Sequence, residues 1–168
     1  MLAMGPHATI ATAQIDALLA VNVNGVVHCI DAALPLLLAT PGAHIVTMSS
    51  TSAEYGTPDL AVYSASKFFV RGLTEALNIE LAPRGVQVSD VVVAYVRTPM
   101  VQQAPVQARS VERLGVHATA EQVPRTVWRA AHGTCTHWRV GRDAVLLAWL
   151  VRWLGPWARG LVRRATGS

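Results

Sequence analysis

The pattern of apolar and polar positions divides the chain into helices that alternate with short, buried strands. Thr12 is a candidate N-cap with Asp16 in the first turn, and Ile15, Leu18 and Leu19 mark one apolar helix face. Asn22, Asn24 and Gly25, three poor helix formers, interrupt that face. The pattern resumes through Val26, Val27, Ile30 and Ala33 to Leu38, and Thr40-Pro41-Gly42 ends it. The apolar run His44 to Met48 follows this turn and predicts a buried strand. "SSTSAEYGTPD" is polar and punctuated by Gly and Pro, so it predicts a loop. Val62 to Leu81 predicts a long helix, with Val62, Ala65, Phe69, Leu73, Ala76 and Leu77 on or near one face. "VQVSDVVVAYV" predicts a second strand, with the continuous apolar run of a parallel sheet.

"RTPM" closes that strand, and a polar segment runs to about Gly115. Thr119 and Gln122 form a capping-box pattern ahead of a helix to about His132. "WRVGRD" predicts a third short strand. Asp143 leads an apolar helix to Leu154, and Gly155 and Pro156 separate it from a last helix with Leu161 and Val162. The order α, β, α, β, α, β, α predicts an α/β fold of about three parallel strands with flanking helices. Three strands are few for such a sheet, and no strand precedes the first helix. The expectation is a fold whose first half is missing.

Composition agrees with a packed domain. Hydrophobic residues make up 52% of the chain and charged residues 14%, which disfavours disorder. The net charge is +4, but five of the fourteen basic residues (Arg142, Arg152, Arg159, Arg163, Arg164) fall near the C-terminus and no nucleic-acid motif accompanies them. Nucleic acid is therefore not an expected partner. Cys29 and Cys135 form no disulfide framework, so a reducing, cytoplasmic setting is the default. The first residues lack the basic and apolar regions of a secretory signal. "AVLLAWLVRWLG" is cut by Arg152 and too short to span a bilayer, so the chain reads as soluble. His132, Cys135 and His137 lie close in "HGTCTH", but no second cluster matches them, so a turn is expected there and no metal site.

The chemistry concentrates around one cation. Lys67 is the only lysine, the other thirteen basic residues being arginine, and it follows Tyr63 by four positions. That spacing puts both side chains on one helix face. A free tyrosine is a poor acid or base at neutral pH, and a cation held close stabilises its phenolate. Such a tyrosine can exchange a proton with a carbonyl or alcohol oxygen. A planar guanidinium fork would not substitute for a slim ammonium there. Spacing alone favours a plain exposed helical pair, but the surroundings shift the balance. Ser50 ends the first strand thirteen residues before Tyr63, Asn22 sits where the first helix is interrupted, and Thr98 follows the second strand. All cluster toward the carboxyl ends of strands, where open α/β sheets place ligands.

With "NVNG" from Asn22, "HIVTMSS" ending at Ser50, "YSASK" from Tyr63 to Lys67 and "VRTPM" from Val96, the chain resembles the short-chain dehydrogenase/reductase family. The resemblance is strong from Gln14 to Thr98 and weaker to His132. It implies a partial Rossmann fold, a doubly wound parallel sheet, over residues 1–142, followed by apolar, Arg-rich amphipathic helices over 143–168. It implies Tyr63 as general acid/base, and Lys67 lowering its pKa while holding the nicotinamide ribose hydroxyls. Ser50 would polarise the substrate carbonyl, and Asn22 would hold a water in a proton relay to Lys67. Val96 and Thr98 would contact the cofactor, Thr98 at the nicotinamide carboxamide. The implied reaction is reversible hydride transfer between NAD or NADP and a small carbonyl or alcohol. The helices near 14–39 and 62–82 look like the family's dimer-forming pair, implying a homo-oligomer.

The chain departs from the family in one large respect: it contains no TGxxxGxG phosphate loop and no NNAG segment, and Met1 stands just after the place of the latter. The leading reading is the catalytic, C-terminal half of such an oxidoreductase. The alternative is a non-catalytic remnant that dimerises or sits on a membrane surface. The tail bears on both. Leu146, Leu147, Leu150, Trp153, Leu154, Trp157 and Leu161 alternate with Arg152, Arg159, Arg163 and Arg164. Packing on the body or over an apolar substrate's pocket is the favoured reading, with peripheral membrane contact as the alternative.

Overall fold

The computed structural model describes residues 1–96, 108, 119, 121–141, 145–146, 149–150, 153–157, 160 and 163–164. Within them three parallel strands form one sheet in the order β1 (His44–Ser50), β2 (Gln87–Val93), β3 (His137–Val140). Helix α3 (Ala61–Leu81) connects β1 to β2, and α4 (Gln122–Ala131) precedes β3. The α/β class and the parallel sheet expected from the alternation are what the structure contains.

The first helix carries the interruption in an unexpected form. Helix α1 (Thr12–Leu19) runs without a break through a π turn (Ala20–Asn24) into α2 (Gly25–Ala39). The poor helix formers widen the helix by one residue rather than stopping it. Ala11, not Thr12, stands at the N-cap, and no side chain caps the end. The run Thr12–Ala39 is long and apolar enough to cross a membrane by length and composition. Its inner flank is nevertheless committed to the fold: Ile30, Val26, Leu37 and Leu38 pack with Ile45, Val88 and Leu73.

Strand register decides which side chains share a face. Ile45, Thr47 and Ser49 stand beside Val88, Asp90 and Val92, and this face meets α3. Thr47 and Thr74 share a buried hydroxyl–hydroxyl hydrogen bond of 2.9 Å, and Asn78 Nδ2 donates to Val88 O at 2.7 Å. On the other face Val46, Val91, Val93, Trp138 and Val140 pack with Val123, Val127 and Ala130 of α4. Gly133 is required by this face, because a Cβ there would lie 2.3 Å from the Trp138 ring. Within this chain β1 is an outer strand, and Met48 is 44% exposed. The capping box ahead of α4 is half present: Thr119 N donates to Gln122 Oε1 at 3.2 Å.

The centre of β2 differs from a plain apolar strand. Ser89 and Asp90 are both fully buried. Ser89 Oγ donates to Cys135 O at 3.0 Å, and Asp90 Oδ1 meets Nδ1 of its register partner His137 at 2.9 Å. His137 Nε2 meets Glu75 Oε1 at 3.1 Å, and Glu75 pairs with Arg71 at 2.9 Å. Arg71 also contacts Glu54, which Arg139 holds at 3.0 Å. This network stitches β2, β3, α3 and the segment after β1 on one face. His137 is thereby committed to carboxylates and His132 to Trp128 O, and the described residues hold no cluster able to bind a metal.

In the tail, Val145, Leu146, Trp149, Trp153 and Trp157 are each more than half exposed. Packing of these side chains on the body, the favoured expectation for the tail, is not what the described residues show.

The buried Asp90–His137 pair generates a prediction. His137→Leu leaves Asp90 buried without its partner and should cost about 3 kcal/mol, read by urea denaturation. The double variant His137→Leu/Asp90→Val should recover most of the loss, since no buried carboxyl group remains. An equal loss in both variants would contradict the pairing.

Candidate active site

Helix α3 places Tyr63 in its first turn and Lys67 one turn further on. The segment between β1 and α3 is fixed from both sides. A 3-10 turn (Thr51–Ala53) follows Ser50, whose Oγ accepts from Ser52 N at 3.2 Å. Ser64 Oγ accepts from Thr57 N at 3.1 Å, and Gly5 N donates to Asp59 O at 2.9 Å. Asp59 takes a positive φ of 64°, a conformation that Asp tolerates better than most residues. The Glu54 carboxylate, held by Arg71 and Arg139, anchors the same segment to α3 and β3.

Ser50 and Tyr63 are thereby brought close enough for the serine hydroxyl to act on the phenol. Tyr63 is half-buried beside Leu2, Met4, Leu60, Tyr95 and Ala108. Burial pushes its phenol above the usual tyrosine value, and the hydrogen bond with Ser50 pulls the other way. Lys67 Nζ donates to Met48 O at 3.0 Å and lies 5.6 Å from the centroid of the Tyr63 ring. Burial lowers the lysine's pKa, as desolvation does for a cation. The expected lowering of the tyrosine's pKa by Lys67 is not what this arrangement produces: burial sets the upward direction, and Ser50, not Lys67, opposes it.

Asn22 joins the group through a residue that sequence reasoning passed over. Its Nδ2 donates to Ser66 Oγ at 3.3 Å, and Ser66 Oγ donates to Tyr63 O at 2.7 Å. Asn22 also accepts from Met1 N at 2.8 Å and donates to Met1 O at 2.9 Å. Ser66 is 1% exposed, so a small hydroxyl at that position ties the π turn to the Tyr63 turn of α3. The available signal was a pair of serines, Ser64 and Ser66, inside an otherwise apolar helix face. Val96 is buried, and its side chain packs with Val91, Ala130 and Val140. A ligand would therefore meet Val96 through its main chain. Thr98 lies outside the described residues.

Four of the six candidate residues thus converge: Asn22, Ser50, Tyr63 and Lys67. They offer a phenol, an ammonium and a hydroxyl at the carboxyl end of a parallel strand. That donor set suits the sugar hydroxyls of a nicotinamide nucleoside together with a substrate oxygen. The 168 residues contain no glycine-rich loop to receive a pyrophosphate, so the residues present fit only the nicotinamide end of a dinucleotide.

Known proteins share the family and the fold. A profile of the short chain dehydrogenase family matches residues 1–108. An uncharacterized oxidoreductase of Staphylococcus epidermidis is 37% identical over 89 residues, 53% of this chain and 39% of that protein. A 3-oxoacyl-(acyl-carrier-protein) reductase of Thermotoga maritima is 35% identical over 94 residues, 56% of this chain and 38% of that protein. A short chain dehydrogenase from Burkholderia cenocepacia, solved in complex with NADP, superposes with a TM-score of 0.79 at 22% identity. The superposition covers 100% of this chain and 67% of that one, and it shows the shared fold. The matched stretch spans about two-fifths of the length of these curated relatives.

The site geometry sets a titration. Tyr63 should ionise above the ordinary tyrosine value, and Ser50→Ala should raise it further by removing the hydrogen bond that opposes burial. Tyrosinate absorbance against pH, with Tyr63→Phe as the difference reference, checks both directions. A Tyr63 that ionises below free tyrosine would contradict the burial argument.

Proposed function

The chain belongs to the short chain dehydrogenase family, and on that premise we propose that its Asn22–Ser50–Tyr63–Lys67 cluster is the proton-handling site of an NAD(P)-dependent oxidoreductase. The observation that carries this reading is the convergence of these side chains, with the Lys67 ammonium 5.6 Å from the centroid of the Tyr63 ring and Asn22 tied to the Tyr63 turn through Ser66. The cofactor, NAD or NADP, supplies the hydride acceptor or donor. The chain's own residues hold the substrate oxygen and move the proton.

Ser50 donates to the substrate carbonyl oxygen and draws electron density toward it. Tyr63 is protonated at neutral pH, so it can give its phenolic proton to that oxygen as the alcohol forms. The charge left on the phenolate is stabilised by the Lys67 ammonium. Lys67 would hold the nicotinamide ribose hydroxyls, and Asn22 would organise a water that returns the proton. Val96, through its main chain, and Thr98 would complete the nicotinamide side. Leu2, Met4, Leu60 and Tyr95 surround Tyr63 with apolar surface, which favours an apolar carbonyl or alcohol as substrate.

The same reading includes a homo-oligomer. Leu36 of α2 and Phe68 and Ile79 of α3 are exposed at 73%, 44% and 76%. Large apolar side chains on two neighbouring long helices favour burial against a second copy. The two free cysteines are consistent with a cytoplasmic protein.

The test is turnover of NADH or NADPH with a panel of ketones, in a polypeptide that joins this chain to a glycine-rich βαβ unit. Tyr63→Phe should lower kcat on the order of a hundredfold to ten-thousandfold while leaving cofactor affinity in place. Retained turnover would refute the acid/base role of Tyr63.

A further inference from the structure

The positive charge of this protein is segregated. Residues 144–168 contain four arginines and no acidic residue, which equals the net charge of +4 for the whole chain. The preceding 143 residues are therefore charge-balanced. The same tail holds Trp149, Trp153 and Trp157, three of the five tryptophans.

These aromatic side chains are presented outward. Val145, Leu146, Trp149, Trp153 and Trp157 are exposed, whereas Leu150 and Leu154 are half-buried. At about 100° per residue, Val145, Leu146, Trp149 and Trp153 occupy roughly one third of a helical circumference. Leu150 and Leu154 fall on the adjoining arc. The Trp149 and Trp153 rings lie 5.6 Å apart, so the exposed arc is a continuous aromatic ridge. Exposed apolar surface of this extent in a helix needs a partner.

We propose that the tail is a peripheral membrane anchor, whose tryptophan ridge enters the headgroup region of an anionic lipid surface while its arginines meet the lipid phosphates. Tryptophan prefers this interface because its ring is apolar and its indole N–H is polar. Arginine binds phosphate oxygens in a planar, bidentate fashion. A tryptophan-rich segment with exposed apolar side chains, cations and no acids matches an interfacial helix. A second copy of the chain is the weaker occupant, because a two-fold contact would bring two segments of like net charge together. This inference is independent of the chemistry proposed for Tyr63.

The experiment is flotation of the full 168-residue chain with vesicles of phosphatidylcholine alone and of phosphatidylcholine mixed equally with phosphatidylglycerol. Tryptophan emission is followed in parallel with lipids carrying brominated acyl chains. The expected result is binding to the mixed vesicles, a blue shift with bromine quenching, and weakening as salt rises. Trp149→Ser/Trp153→Ser should lower partitioning at least about tenfold, and Arg152→Gln/Arg159→Gln should abolish the preference for anionic vesicles. Both variants should keep the parent's far-ultraviolet circular dichroism. Equal binding to both vesicle types, or undiminished binding by the tryptophan variant, would overturn the proposal. So would a tail-dependent dimer that binds neither.

Discussion

The docking of α3 against β1 and β2 is the contact on which the site depends. It rests on three kinds of bond at different depths: the buried Thr47–Thr74 hydroxyl pair, the Asn78 amide on Val88 O, and the Arg71–Glu54 ion pair near the surface. Together they fix the helix along its length. Its first two turns are then held over the end of β1, where Ser50 and the Met48 carbonyl meet Tyr63 and Lys67. A small rotation of α3 would separate the phenol from the serine. The polar bonds lock the angle that apolar packing of Leu73 and Leu77 leaves adjustable.

The parts of this fold that were legible in the sequence are those with a strong period or a special residue. The apolar spacing of α3 and the runs in β1 and β2 gave those elements to within a residue or two, apart from the last residues of β1 and β2. The single lysine in an arginine-rich chain pointed to the Tyr63 turn, and its ammonium does lie beside the Tyr63 ring. Non-local pairing was not legible. Asp90 read as one polar residue in an apolar run, and nothing near it in sequence announced His137 as its register partner across the sheet. Ser66 was hidden for the same reason: its partner Asn22 lies 44 residues away. The interruption at Asn22 was visible, but propensity alone does not distinguish a helix end from a π turn.

Function is divided along the chain by chemistry. In the proposed function, residues near the carboxyl end of β1 would handle a proton beside an apolar patch. The tail carries the charge and the exposed tryptophans, so the two regions differ in solvent and in expected partner. An apolar carbonyl substrate and a lipid surface are compatible requirements, since a membrane concentrates such molecules near the protein. The network of Glu54, Arg71, Glu75, His137 and Asp90 lies behind the site. It keeps the sheet and α3 in register without touching the reacting atoms.

The central claim is that this chain carries the nicotinamide-facing half of a dinucleotide site. Saturation-transfer NMR of NADH against the 168-residue chain tests it most directly, because the method reports which ligand protons lie against the protein. The account predicts weak binding, with saturation strongest on the nicotinamide ring and its ribose, and loss of that pattern in Lys67→Met. Saturation centred on the adenine, or a pattern unchanged by Lys67→Met, would contradict it.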